Sequence, residues 1–141
     1  MKIHKYIYWV PTSILVLGFI GGGAVDLLKL PDKVEEITTL GYPVYLMTLL
    51  GIWKLLAGVT LGLPRLPQLK EWAYAGLVFD LTGASYSHIS SGSSADKVAV
   101  PLVFLALTIL SWATRPESRK LKGTFVMMSR NPEPDAARVP A

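Results

Sequence analysis

Hydrophobic and polar positions alternate along this chain in long blocks. Four apolar runs stand out: "YIYWVPTSILVLGFIGGGAVDLL" at 6–28, "YPVYLMTLLGIWKLLAGVTLGL" at 42–63, "WAYAGLVFDLTGASYSHIS" at 72–90 and "VAVPLVFLALTILSWAT" at 98–114. Each is close to the ~17–25 residues that a helix needs to cross hydrocarbon. The third is the weakest, because Asp80 interrupts it and its end is polar. The blocks predict an all-α integral membrane protein, a four-helix up-down bundle over residues 1–120. Residues 121–141 are expected to form a cytoplasmic tail, disordered at its polar, proline-bearing end. The connections between runs are short, which favours sequential antiparallel neighbours. Pro64, Pro67 and Pro116 mark helix ends, since proline cannot continue the hydrogen-bond ladder. The first connection has room for one interfacial helical turn, with Val34, Ile37 and Leu40 as its apolar side.

Composition agrees with the pattern. Of 141 residues, 51% are hydrophobic and 17% charged, and the mean hydropathy is +0.41. A soluble globule of this size could not hide so much apolar surface. A soluble bundle of very apolar helices is the alternative. Lys2 and Lys5 before an apolar core also resemble a signal peptide. That run is longer than usual and contains Trp9 and Pro11, so it is expected to remain.

The net charge of +4 would suggest nucleic acid in a soluble protein. Here the basic residues sit at chain ends and in short connections, so nucleic acid is not an expected partner. One set comprises Lys2, Lys5, Arg65, Lys70, Arg115, Arg119, Lys120, Lys122, Arg130 and Arg138. The opposite set is Lys29, Lys33 and Lys97. The asymmetry predicts both termini in the cytoplasm. There is no cysteine, which excludes disulfides, thiolate metal sites and thiol redox chemistry in this chain. The only histidines, His4 and His88, fall at opposite ends of the predicted bundle. A bis-histidine haem within one chain is therefore not expected, and no metal site or resident cofactor is predicted.

Four ionisable groups remain inside the runs: Asp26, Lys54, Asp80 and His88. Such groups are costly in a membrane, face the bundle interior and pair with one another. Lys54 lies roughly 13–18 Å from each end of its helix at 1.5 Å per residue, too deep to snorkel. Asp80 has the matching depth in the third run, so it is the expected partner. Ala73, Gly76, Asp80, Gly83, Ala84 and Ser87 share one face of that run. Gly51, Lys54, Gly58 and Gly62 cluster in the second, with a GxxxG spacing. Two roles fit the pair: a buried ion pair that fixes register, and a polar site for a proton or small ligand. The register role is the first expectation, and both can hold.

Asp26 and His88 form a second level. Gly18, Gly22 and Asp26 fall in an i, i+4, i+8 row that leads to the carboxylate. Ordinary interfacial polarity explains the two residues. An outward-facing acid–base or ligand cavity above a Lys54–Asp80 floor is the alternative.

The stretches "LGYPVYLMTLLGIWKLLAG", "PRLPQLKEWAYAGLVFDLTGASYSH" and "PLVFLALTILSWATRPESR" resemble the DoxX-like family of small four-span membrane proteins. The similarity covers about residues 5–120. It implies a bacterial inner-membrane protein, in a family whose name comes from a small subunit associated with thiosulfate:quinone oxidation. The first functional expectation is a non-catalytic membrane subunit or anchor beside an oxidoreductase or the quinone pool. The alternative is a membrane-embedded enzyme or binding protein for a lipophilic ligand, using Lys54, Asp80, His88 and Asp26. A proton-coupled transporter is a third reading. The expected partners are the bilayer, an oxidoreductase and a second copy of the chain. A bound quinone fits either of the first two readings, since it needs only an apolar slot and one or two donors.

Overall fold

A computed structural model describes residues 2–121. Lys122, Arg130, Arg138 and the rest of the expected tail lie outside the described residues. Five α-helices form: α1 Lys2–Leu28, α2 Pro31–Thr39, α3 Tyr45–Gly62, α4 Pro67–Ser90 and α5 Ala95–Thr114. A short 3-10 turn, Glu117–Arg119, follows.

The breaks have local causes. Pro31 and Pro67 open α2 and α4, where the missing N–H has no intrahelical partner to lose. Gly41 (φ +86°) reverses the chain between α2 and α3, a backbone region that side chains rarely adopt.

The expectation of a four-span bundle is corrected in two ways. The first connection holds a nine-residue helix, α2, rather than a single turn. Val34, Ile37 and Leu40 do form its half-buried side. Among the described residues, three helices are long and apolar enough to cross a membrane: Ile3–Leu28, Tyr45–Gly62 and Ala95–Thr114. At 24 residues α4 has the length, but Lys70, Glu71, Asp80, His88 and its many hydroxyl side chains remove the apolarity.

Helix α1 packs most extensively on α3 and also on α5, while α4 packs on α5 and α3. Leu15, Phe19, Leu61, Tyr74, Leu77 and Leu81 form the buried apolar core. Phe19 meets Phe104 edge to face, with ring centroids 5.9 Å apart.

A buried polar network closes one end of the bundle. Ser111 Oγ lies 2.7 Å from Thr12 Oγ1 and 2.8 Å from the Tyr74 hydroxyl. Arg115 pairs with Glu71 and lies over the Tyr74 and Trp112 rings. Lys70, fully buried, donates to the carbonyls of Thr60 and Leu61 at the end of α3. Arg119 Nη1 donates to the Leu61 carbonyl at 3.2 Å. Two cations thus satisfy carbonyls that a helix end leaves open, where its dipole favours positive charge. Lys70→Met should therefore lower the thermal unfolding midpoint in detergent. The expected loss is about 1–3 kcal/mol, the cost of stranding buried acceptors. An unchanged midpoint would show that Lys70 does not cap α3.

Candidate functional site

At the opposite end of the bundle, all five helices contribute to one cavity of about 790 Å³. Its polar lining includes Asp26 from α1, Lys33 and Glu36 from α2, and Lys54 from α3. Asp80, Ser87 and His88 come from α4, and Asp96 and Lys97 from α5. Its apolar lining includes Phe19, Leu46, Leu50, Leu81 and Phe104. All four residues singled out from the sequence, Asp26, Lys54, Asp80 and His88, line this space.

Their pairing differs from expectation. The Lys54 ammonium donates to Asp26 Oδ2 at 2.7 Å, and the two form an ion pair. Asp80 is not its hydrogen-bond partner. The cause is the face on which Lys54 sits. A Cβ placed on Gly51 would lie 2.9 Å from the Gly23 carbonyl, and one on Gly58 would lie 2.7 Å from Ile20 Cγ1. The small-residue face of α3 is therefore pressed against α1, and Lys54, on that face, finds the carboxylate of α1. The glycines of α4 do not make the expected helix contact. A Cβ on Gly76 or Gly83 would meet nothing within 4 Å. Gly83 borders the cavity instead. So do Gly18 and Gly22, which makes the predicted glycine row beside Asp26 part of the wall.

Asp80 is half-buried and makes no hydrogen bond or ion pair with any described residue. It is close enough to feel the charges of both Lys54 and Asp26. His88 lies eight residues further along α4, roughly 12 Å at 1.5 Å per residue. Its Nδ1 is 3.1 Å from Ser93 Oγ. Beside it, the hydroxyls of Tyr42 and Ser87 are 2.7 Å apart. Glu36 ties α2 to the start of α5, with Lys33 at 2.6 Å and Lys97 at 3.4 Å. Burial pushes the Glu36 carboxyl up, but the two ammonium groups outweigh that and hold it below its ordinary value. This tether contributes stability at neutral pH and loses it as acid protonates Glu36. No group of three His, Asp or Glu side chains that could hold a metal occurs among the described residues.

Sequence reading missed Glu36, Lys97 and Tyr42 as cavity residues. The signal for the first was present: Lys33 and Glu36 at i, i+3 on a segment whose other side is apolar. Nothing local in the sequence places α2 over the cavity.

The sequence pattern of the DoxX-like family matches residues 10–111. That stretch includes every residue of the cavity wall named above. No curated protein and no solved structure matches the chain.

Proposed function

The chain belongs to the DoxX-like family and is a multi-pass membrane protein with three membrane-length helices. From that premise we propose that it is a non-catalytic protein of the bacterial inner membrane that holds an amphipathic small molecule. The observation that carries this reading is the cavity shared by all five helices, with the ionisable side chains of Asp26, Lys54 and Asp80 beside apolar walls. Its volume of about 790 Å³ falls in the ~300–1,000 Å³ range of small-molecule sites. The polar head would sit at the Asp26–Lys54–Asp80 level and the apolar body against Phe19, Leu50 and Phe104. His88 and the Tyr42–Ser87 pair supply further polar contacts toward the α2 side.

A place beside an oxidoreductase or the quinone pool is the second reading. One observation favours its quinone form. Lys54 has three ammonium donors and gives one to Asp26, so donors remain for a ligand carbonyl. A partner enzyme retained on purification would support the subunit role.

Filling the cavity tests the first reading. Gly22 lines the wall, and a Cβ there meets nothing within 4 Å. Gly22→Phe should leave the fold intact and occupy ligand space. Protein purified in mild detergent, extracted with organic solvent and analysed by mass spectrometry should release an amphiphile that Gly22→Phe has lost. Identical extracts from the two proteins would refute the site.

A further inference from the structure

The reading of the cavity as a ligand site leaves the charge of the ligand head open. We propose that the head is cationic, a protonated amine, and that Asp80 is the residue that receives it. This inference rests on the ligand-site reading above.

The charge inventory of the wall is the basis. Three ammonium groups line the cavity, those of Lys33, Lys54 and Lys97. Each already has a carboxylate within ion-pair distance: Glu36 at 2.6 Å, Asp26 at 2.7 Å and Glu36 at 3.4 Å, respectively. No lining cation is therefore left unpaired for an anionic head. Asp80, by contrast, lines the same cavity with no hydrogen bond or ion pair to any described residue. Asp26 uses only Oδ2 on Lys54, so its second oxygen also retains acceptor capacity. At the α2 side, Lys33 and Lys97 balance Glu36 and Asp96. The inner group of Asp26, Lys54 and Asp80 has two carboxyl groups for one ammonium.

An anionic head placed there would add a second uncompensated charge beside two part-buried carboxylates, which is costly. A neutral head leaves the excess unchanged and can still accept from Lys54. A primary ammonium head cancels the excess, and its three donors match the free lone pairs of Asp80 and Asp26. The geometry thus orders ligand heads as cation, then neutral, then anion.

Three probes with the same alkyl tail separate these cases: dodecylamine, dodecanol and dodecanoate at neutral pH. Binding is read by native mass spectrometry on the full chain in zwitterionic nanodiscs, with Gly22→Phe as the background for partition into lipid. Dodecylamine should bind tightest and dodecanoate weakest. Asp80→Asn should weaken dodecylamine by about tenfold to a hundredfold, the scale of a lost charge-assisted hydrogen bond. It should leave dodecanol binding unchanged. Should Asp80→Asn fail to fold, the order of the three probes on the native sequence decides. Equal dodecylamine affinity in the Asp80→Asn and native proteins overturns the role of Asp80. Dodecanol or dodecanoate binding above background, with no preference for the amine, overturns the cationic head and leaves the ligand site standing. Binding of none of the three above the Gly22→Phe background overturns both.

Discussion

Lys54→Met is expected to destabilise the protein more than any other single change in the cavity. It removes the one cation from a group with two carboxylates, leaving Asp26 and Asp80 to repel each other. The side chains of Lys54 and Asp26 are 23% and 14% exposed, so some water screens them. The loss should be about 2–4 kcal/mol, somewhat below the ~3–5 kcal/mol of a dry pair broken from one side. Asp26→Asn should cost less, because Asp80 stays near enough to take over the ammonium. Asp80→Asn should cost least, since Asp80 has no direct partner and its removal relieves a like charge. The double change Lys54→Met with Asp26→Asn should recover part of the loss. Thermal unfolding midpoints of the four variants in detergent give the order. Asp80→Asn proving as damaging as Lys54→Met, with Asp26→Asn harmless, would return the pair to the one expected from helix depth alone.

Gly51→Ala is expected to cost about 1–3 kcal/mol, the range of an overpacked core, and Gly51→Leu more. The added Cβ would stand 2.9 Å from both the Gly23 carbonyl and Leu27 Cγ. One of those neighbours is backbone, so the strain is relieved only by moving α1 away from α3. That movement also draws Asp26 from Lys54, which couples packing to the cavity. Gly76→Ala is the control. A Cβ there meets nothing within 4 Å, so the substitution should be neutral or gain up to ~1 kcal/mol of helix propensity. Equal effects of Gly51→Ala and Gly76→Ala on the unfolding midpoint would show that the close approach of α1 and α3 does not hold the bundle.

The long blocks and proline breaks made the helices legible in the sequence, because apolar length and lost N–H donors act locally. Val34, Ile37 and Leu40 marked the apolar side of α2, but a nine-residue amphipathic segment was read as a single turn. The third block was overcounted as a span: its aromatic and aliphatic residues hid how far Lys70, Glu71, Asp80 and His88 lower its apolarity. The cavity residues Asp26, Lys54, Asp80 and His88 stood out through the cost of ionisable groups among apolar neighbours. Their pairing did not. Helical spacing puts Lys54 on a face with Gly51 and Gly58, yet says nothing of which helix that face meets. Asp26 and Asp80 both offered a carboxylate, and only the Gly23–Gly51 approach chose between them. Lys70 and Arg119 were counted as charges that set topology. Their role at the α3 carbonyls depends on a tertiary approach that a charge count does not contain.

The claim that this cavity holds an amphipathic molecule is tested most directly by photolabelling the protein in native membranes. The probe is an alkylamine carrying a diazirine in its chain, and adducts are mapped by peptide mass spectrometry. The expected result is labelling concentrated on Phe19, Leu50 and Phe104, which line the cavity, and lost in Gly22→Phe. Labelling confined to outward residues such as Leu17 and Leu56, 73% and 61% exposed, and unchanged in Gly22→Phe, would contradict it.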